Sequence, residues 1–394
     1  MIFRQYRRSG NVVQRNLFRS VSRNKEIDYL GEFDYFLLGV ALLITAIGLV
    51  FLDSAMDNMY TDGGSGAMRV QIVGLILGLI CAVVMAVFDY NLLKKITIPF
   101  YLFNVFLMLC VYSPLGIEEN GSRAWLDFKV ITYQPSELMK LAMVLVVAKE
   151  LEQAQEEGFT RKNGIKILAA YLVPLGLIFL QRDIGQALVL TFAFLLTLFI
   201  GRAKWWYILS IIGVGASFVP FVWKYYINGV RRARLLAFLD PEKYLDYSLQ
   251  LRRAQTAIGS GRLIGKGLGE GPMNNGKKIL VKLSDSIFAV IGEEGGFIMT
   301  VLVVVLFAIL LMRMCYISYR ARDMFGQCVA IGIFAMFFFN IFENIGMNLG
   351  VMPITGLPLP FISKGGSAMI TNFFAIGVLL SVSLRRKRKF FEDM

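Results

Sequence analysis

Three carboxylates stand where a chain can least afford them. In DSIFAVIGEEGGF, Asp285 opens an apolar run and Glu293 and Glu294 lie inside it. Charges placed against hydrocarbon are costly, so they pair, line a cavity or serve the chemistry. With an ordinary pKa of about 3.9, Asp285 is ionised at neutral pH and can accept the proton of an alcohol, as a general base does. The same position suits an N-cap for a helix that starts at Ser286, and the two roles are compatible. Glu293 and Glu294 fall about two turns further along by the helical rise. They predict a polar network, a held cation or a structural pairing between helices, with Lys140 and Arg182 as candidate partners. Glu137 and Lys140, three apart, share one helix face and can pair locally, and Asp183 belongs to the same expected network. With no histidine in the chain, proton transfer falls to carboxylates, Lys, Arg or Tyr.

Upstream of Asp285 lies a stretch rich in glycine and charge. Gly259, Gly261, Gly265, Gly267, Gly269 and Gly271 let backbone turn sharply or approach a ligand closely. No GxxxxGK[ST] or GxGxxG match exists, so a nucleotide loop is disfavoured against a re-entrant loop. Fixed positive charge eases departure of a pyrophosphate. Candidates are Arg123, Arg252, Arg253, Arg262, Lys266, Lys277, Lys278, Lys282 and Lys364, although a basic loop also suits an anionic membrane surface. Trp125 suits sugar stacking or anchoring at the bilayer interface.

The elements that must hold these residues are membrane helices. With 56% hydrophobic residues and 32 Phe, and a mean hydropathy of +0.61, the chain is an all-α polytopic membrane protein. Apolar runs near 34–52, 70–88, 96–113, 135–149, 165–181, 184–200, 205–223, 285–312, 324–343 and 368–384 predict about ten transmembrane helices. The fifth and sixth are alternatively one long, broken segment. A long extracytoplasmic loop, 224–284, joins helices 7 and 8. It is expected to be partly folded, with Tyr247 to Ile258 as an amphipathic helix at the membrane surface.

The net charge of +13 is concentrated beside the runs, so it reports topology rather than nucleic-acid binding. Lys94 and Lys95, Arg161 to Lys166, Arg202 and Lys204, Arg313 to Arg322 and Arg385 to Lys389 fall on one side. This makes both termini cytoplasmic in a multi-pass plasma-membrane protein. Residues 1–33 form a basic cytoplasmic tail without the apolar core of a signal peptide, 34–384 the membrane domain and 385–394 a second cytoplasmic tail. Cys81, Cys110, Cys315 and Cys328 lack CxxC spacing and predict buried thiols, with no metal site or disulfide framework.

Four separated motifs carry a resemblance: QPSELMKLA at Gln134 to Ala142, AIGSGRLIGKG at Ala257 to Gly267, DSIFAVIGEEGGF at Asp285 to Phe297 and NIGMNLGVMPITGLPLPFISKGGS at Asn344 to Ser367. With QRDIGQAL at Gln181 to Leu188 as a weaker fifth, the chain resembles the SEDS family (shape, elongation, division and sporulation), the group containing RodA and FtsW. The resemblance implies a peptidoglycan glycosyltransferase that polymerises lipid II on the outer face of the plasma membrane. Asp285 matches the family's essential aspartate and is expected as the base. Lys266, Arg262, Arg123, Trp125, Lys364 and Ser367 are the expected substrate-binding residues, and Pro353, Pro358 and Pro360 mark a re-entrant wall of the site.

This chain departs from the family at Lys282, Leu283 and Ser284, where a Thr precedes the aspartate and a His and an acidic residue lie shortly upstream. It departs also at Ala124 for Arg, Lys364 for Tyr and Arg182 for Pro. ITGLPLPF at Ile354 to Phe361 looks closer to the elongation type, RodA. The resemblance implies a class B penicillin-binding protein, a transpeptidase, as partner. No cofactor signature exists, while Mg²⁺ or Mn²⁺ is compatible with a carboxylate beside a pyrophosphate. A lipid II flippase and a noncatalytic scaffold are the alternatives.

Overall fold

The computed structural model describes residues 31–57, 65–119, 121–128, 132–226, 229–275 and 283–386. Residues 1–30 and 387–394 of the expected tails, and Lys277, Lys278 and Lys282, lie outside the described residues. Among those described, ten helices of 17 residues or more coincide with the ten expected runs. They are α1 (Tyr35–Asp57), α2 (Ser65–Val87), α3 (Tyr90–Cys110), α4 (Pro135–Glu157), α5 (Arg161–Leu180), α6 (Ile184–Ile200) and α7 (Trp205–Phe221), then α11 (Ile287–Arg320), α12 (Met324–Leu349) and α13 (Gly366–Leu384). The long loop adds α8 (Gly229–Leu239), α9 (Leu245–Ser260) and α10 (Pro272–Asn275).

Among the described residues eight helices, α7 together with its π-helical continuation to Lys224 included, are long and apolar enough to cross a membrane by themselves. The other two have a physical reason to fall short. At about 1.5 Å per residue, α6 measures about 26 Å, close to the hydrocarbon thickness. Helix α4 carries Glu137, Lys140, Glu150 and Glu152, yet all four are buried, because α4 is enclosed by α3, α5, α6 and α12. A helix that touches protein on every side need not be apolar. Beside it, α2 packs on α13 at the closest range backbone permits. A Cβ on Gly74 would lie 2.7 Å from the Gly366 carbonyl oxygen, the small-residue contact typical of membrane helix pairs.

The fifth and sixth runs are two helices and not one broken segment. Arg182 takes a left-handed conformation (φ 63°), and Asp183 caps α6 by accepting from the Gln186 N–H at 3.1 Å. The expected amphipathic helix exists as α9, and most of its apolar side is covered by protein, with Leu249 left exposed. Leu251, Ala254 and Ala257 are buried, and α9 packs on α11 and α12. A small antiparallel sheet, order β1-β2-β3 (Gly116–Glu119, Ser122–Asp127, Thr132–Tyr133), was not legible as strands; it pairs Ile117 with Trp125 across a bulge.

The basic loops do share one end of the bundle. There Arg313 meets Asp34 at 2.9 Å, Lys166 meets Glu150 at 3.0 Å, and Lys94 pairs with Glu152. Tyr90 donates to Asp323 at 2.7 Å, tying the α2–α3 corner to the α11–α12 corner. The four cysteines are free, and Cys328 is buried while the other three are half-buried.

Candidate active site

Helix α11 is two helices in one. Gly296 has φ 69° and ψ −169°, which only glycine adopts without strain. From Phe297 to Arg320 the second piece is about 36 Å long, enough alone to cross about 30 Å of hydrocarbon. The first piece, from Ile287, is therefore free to lie at the membrane boundary, fully enclosed by protein. Glu293 and Glu294 stand at this break and not deep within a span.

Their partners are not Lys140 or Arg182, as expected, but the glycine-rich loop. Glu293 accepts the N–H groups of Met273 (2.7 Å) and Asn274 (3.0 Å) at the start of α10. Glu294 accepts the Ser54 hydroxyl (2.7 Å) and the Asn274 amide (2.7 Å). Backbone N–H groups and a carboxamide satisfy a buried carboxylate without the desolvation cost of a second charge. Lys140 instead pairs with Glu137 at 3.1 Å, both buried.

The turn before α11 is held at every residue. The Leu283 carbonyl accepts from Lys364 N–H at 2.7 Å, and the Ser284 carbonyl from the Ser363 hydroxyl. The Asp285 carbonyl accepts two amides of α12, Asn344 (3.0 Å) and Asn348 (2.9 Å). The Ser286 hydroxyl accepts from Gln250 of α9 at 3.3 Å. The third and fourth sequence motifs thus meet here, although some sixty residues separate them. The cap position falls on Ser286, which makes no side-chain capping bond, so Asp285 is not the cap residue.

The Asp285 carboxyl faces a crowded, partly charged setting. A Cβ on Gly356, itself at φ +81°, would lie 3.4 Å from its Oδ2. Burial pushes the carboxyl above the ordinary carboxylate range, against the pull of the Ser284 hydroxyl and the Arg234 guanidinium. Asp285 is half-buried, and a carboxyl raised in this direction is a better proton acceptor once ionised. Glu343 of α12 is an electrostatic neighbour of Asp285. It accepts the Thr355 hydroxyl, while its Oε2 is buried without a hydrogen-bond partner among the described residues.

The remaining expected residues form a second wall. Gln134 donates to Asp183 at 3.0 Å, and Gln186 donates to Glu137, whose other oxygen takes Lys140. A small cavity joins this wall to the proline-rich segment, lined by Glu137, Asn340, Pro358, Pro360 and Ser363. The segment is non-helical and folds back into the protein, with Leu357, Leu359, Phe361 and Ile362 buried. Gln71 of α2 clamps it, donating to the Ser363 carbonyl (3.2 Å) and accepting the Gly365 N–H (2.9 Å). Lys364 is half-buried and Ser367 buried. Arg123 and half-buried Trp125 lie on β2, where Arg123 reaches the Ser113 carbonyl at 3.0 Å and Ser122 ties the strand to Arg182 at 2.8 Å. Arg262 and Lys266 stand exposed at the Gly296 break, beside Glu293.

Sequence reasoning missed Glu343, Asn348, Thr355, Gln71 and Arg234. One signal was available. Asn340, Glu343, Asn344 and Asn348 recur on one face of a helix that is otherwise apolar, a polar stripe that membrane helices reserve for a cavity or a site.

The family model of the FtsW, RodA and SpoVE cell cycle proteins matches residues 34–388. The chain is 33% identical over 374 residues to a probable peptidoglycan glycosyltransferase FtsW of Geobacter metallireducens, covering 92% of this chain and 97% of that one. It is 30% identical to the peptidoglycan glycosyltransferase MrdB of Escherichia coli, over 89% of this chain and 93% of the relative. Among solved structures it resembles Thermus thermophilus rod shape determining protein RodA, with 27% identity, a TM-score of 0.67 and coverage of 91% and 98%. It also resembles a chain of a peptidoglycan synthase complex in which polymerisation and crosslinking are coordinated, with 28% identity, a TM-score of 0.74 and coverage of 89% and 97%.

Proposed function

Because this chain belongs to the FtsW, RodA and SpoVE family of cell cycle proteins, we propose that its site is that of a membrane peptidoglycan glycosyltransferase in which Asp285 is the general base. The single observation that carries the assignment is the turn 283–286, fixed at four successive residues from α9, α12 and the re-entrant segment, which presents one carboxyl at the mouth of a membrane helix. A carboxyl held so firmly and not spent on capping is preorganised for chemistry.

The reaction follows from that placement. The acceptor sugar hydroxyl of one lipid II gives its proton to Asp285 as its oxygen attacks the anomeric carbon of a growing strand. The bond from that carbon to the pyrophosphate oxygen breaks, and undecaprenyl pyrophosphate leaves with the electron pair. Arg234 lies in electrostatic range of Asp285, and Lys364 sits on the segment bonded to Leu283; positive charge there stabilises the departing pyrophosphate.

Among the described residues no cluster of three or more Asp, Glu, Cys or His side chains gathers to hold a metal. Two carboxylates with substrate phosphate oxygens are nevertheless the donor set that Mg²⁺ favours. Asp285 and Glu343, with its unpartnered Oε2, would hold such an ion, which would neutralise charge on the pyrophosphate.

The sidedness of the basic loops supports cytoplasmic termini and a site at the outer face of the plasma membrane. The likeness to a chain of a polymerising and crosslinking complex supports a penicillin-binding protein, of the transpeptidase class B, as partner. The test is polymer formation from purified lipid II by the reconstituted protein with that partner, comparing wild type and Asp285→Asn. Polymer from the variant at the wild-type rate would remove Asp285 from the role. A folded wild type that makes none would bring the flippase and scaffold readings forward.

A further inference from the structure

The break at Gly296 opens two intrahelical bonds. In an unbroken helix the Phe297 and Ile298 N–H groups would bond to the carbonyls of Glu293 and Glu294. Here the loop before α10 takes over all four groups. Lys266 N–H and Gly267 N–H donate to the Glu293 and Glu294 carbonyls (3.0 and 3.1 Å), while the carbonyls of Arg262 and Leu263 accept from Phe297 and Ile298 (2.8 and 3.1 Å). The fit leaves no room for a side chain at Gly265, whose Cβ would lie 2.1 Å from the Glu294 carbonyl oxygen. A loop docked by four such bonds is a rigid part of the helix, not a mobile strand of chain.

What this rigid tip exposes is apolar. Leu263 is 65% exposed, Ile264 82% and Leu268 55%. Solvent is a poor place for three large aliphatic side chains on one short loop. Their neighbours across the four bonds, Phe297 and Ile298, are themselves more than 60% exposed, at the point where α11 begins its crossing. The exposed surface of the tip is thus continuous with a lipid-facing helix surface, and Arg262 and Lys266, both exposed, border it.

We propose that the loop tip 262–268 is an interfacial wedge that docks on the bilayer itself, with Leu263, Ile264 and Leu268 in the upper acyl region and Arg262 and Lys266 on the phosphates of anionic phospholipids. Apolar insertion flanked by basic residues is the chemistry of interfacial anchoring. Each basic group near an anionic surface adds about fivefold to the preference for it. The wedge would fix the height of α11 in the membrane, and through its first piece the height of Asp285.

The test uses the full chain in nanodiscs containing phosphatidylglycerol and phosphatidylcholine. A photoreactive benzoylphenylalanine replaces Ile264, a position exposed enough to leave packing intact, and, as a control, Lys243, which is also exposed and lies in the turn between α8 and α9. Mass spectrometry then reads the adducts. Lipid adducts at 264 exceeding those at 243 by tenfold or more, enriched in phosphatidylglycerol, are expected, with the enrichment lost in Arg262→Gln/Lys266→Gln. Lipid adducts at 264 no more frequent than at 243, or none to lipid, would overturn the wedge. Lipid adducts without headgroup preference would overturn the role of the two basic residues. Neither readout depends on polymer formation, so it stands or falls apart from the glycosyltransferase assignment.

Discussion

Replacing Asn344 by alanine tests whether the base is held from behind. The Asn344 amide is fully buried and donates to two carbonyls, Asp285 at 3.0 Å and Leu357 at 2.7 Å. Leu357 is buried, so its orphaned carbonyl costs about 1–3 kcal/mol. The Asp285 carbonyl keeps Asn348 and loses about 1 kcal/mol. The sum, about 2–4 kcal/mol, falls on the two segments that flank the carboxyl. If most of it appears as freedom of the turn, kcat falls about a hundredfold, since each ~1.4 kcal/mol is a factor of ten. KM for lipid II changes little, because no substrate contact is removed. Asn348→Ala, which leaves the Asp285 carbonyl its Asn344 partner, is expected to lose only about tenfold. The assay is initial rates of strand formation over a range of lipid II concentrations, with membrane level and detergent melting temperature measured in parallel. An Asn344→Ala protein that accumulates normally and retains kcat within about threefold of wild type would refute the reasoning.

Other expectations follow from the same contacts. The Asp285 carboxyl is raised by burial and held down by Arg234, so activity fails as pH drops through a raised pKa. Arg234→Gln removes charge that favours the ionised form, and the acidic limb of the kcat/KM profile moves to higher pH; a shift to lower pH would contradict the placement. Gly265→Ala combines a φ of +91° with a Cβ inside the Glu294 carbonyl and is expected to undock the loop. Limited proteolysis between residues 261 and 275 then accelerates by at least about tenfold, a difference of ~1.4 kcal/mol in opening, whereas an unchanged digest would refute the docking. Glu343→Gln removes half of the proposed cation donors, so the Mg²⁺ or Mn²⁺ concentration for half-maximal rate is expected to rise about tenfold or more. An unchanged metal titration would dismiss the ion at that place.

Much of the architecture was legible because the bilayer enforces it. Ten apolar runs became ten helices, even α4 with its Glu137 and Lys140, because run length and the Lys and Arg flanks are set by hydrocarbon thickness and insertion. What periodicity could not show was who partners whom. Glu293 and Glu294 invited Lys140 and Arg182 on charge alone, yet backbone N–H groups and Asn274 satisfy them, and no sequence pattern announces a backbone donor. The sheet carrying Trp125 was hidden because its strands are short and one is only Thr132–Tyr133. The apolar side of α9 was legible but not the helices α11 and α12 that cover most of it, since an amphipathic helix reads alike whether it covers lipid or protein. Asp285 was found by its place at the head of a run. The ring around it was not: Gln71 and Gln250 come from two distant stretches, and within the Asn344 to Ser367 motif no spacing marks Asn344 and Thr355 as the residues that turn towards it. ITGLPLPF points to the elongation type, whereas relatives named FtsW and MrdB match at 33% and 30% identity.

The most direct test of the account is strand synthesis from lipid II by Asp285→Asn beside wild type, both purified in complex with the partner and shown to be folded by their melting temperatures. The isosteric amide keeps the turn and its carbonyl bonds while abolishing the base. A loss of at least about a thousandfold in kcat is predicted, within the range that removal of a general base commonly gives. A variant that polymerises at the wild-type rate would contradict it.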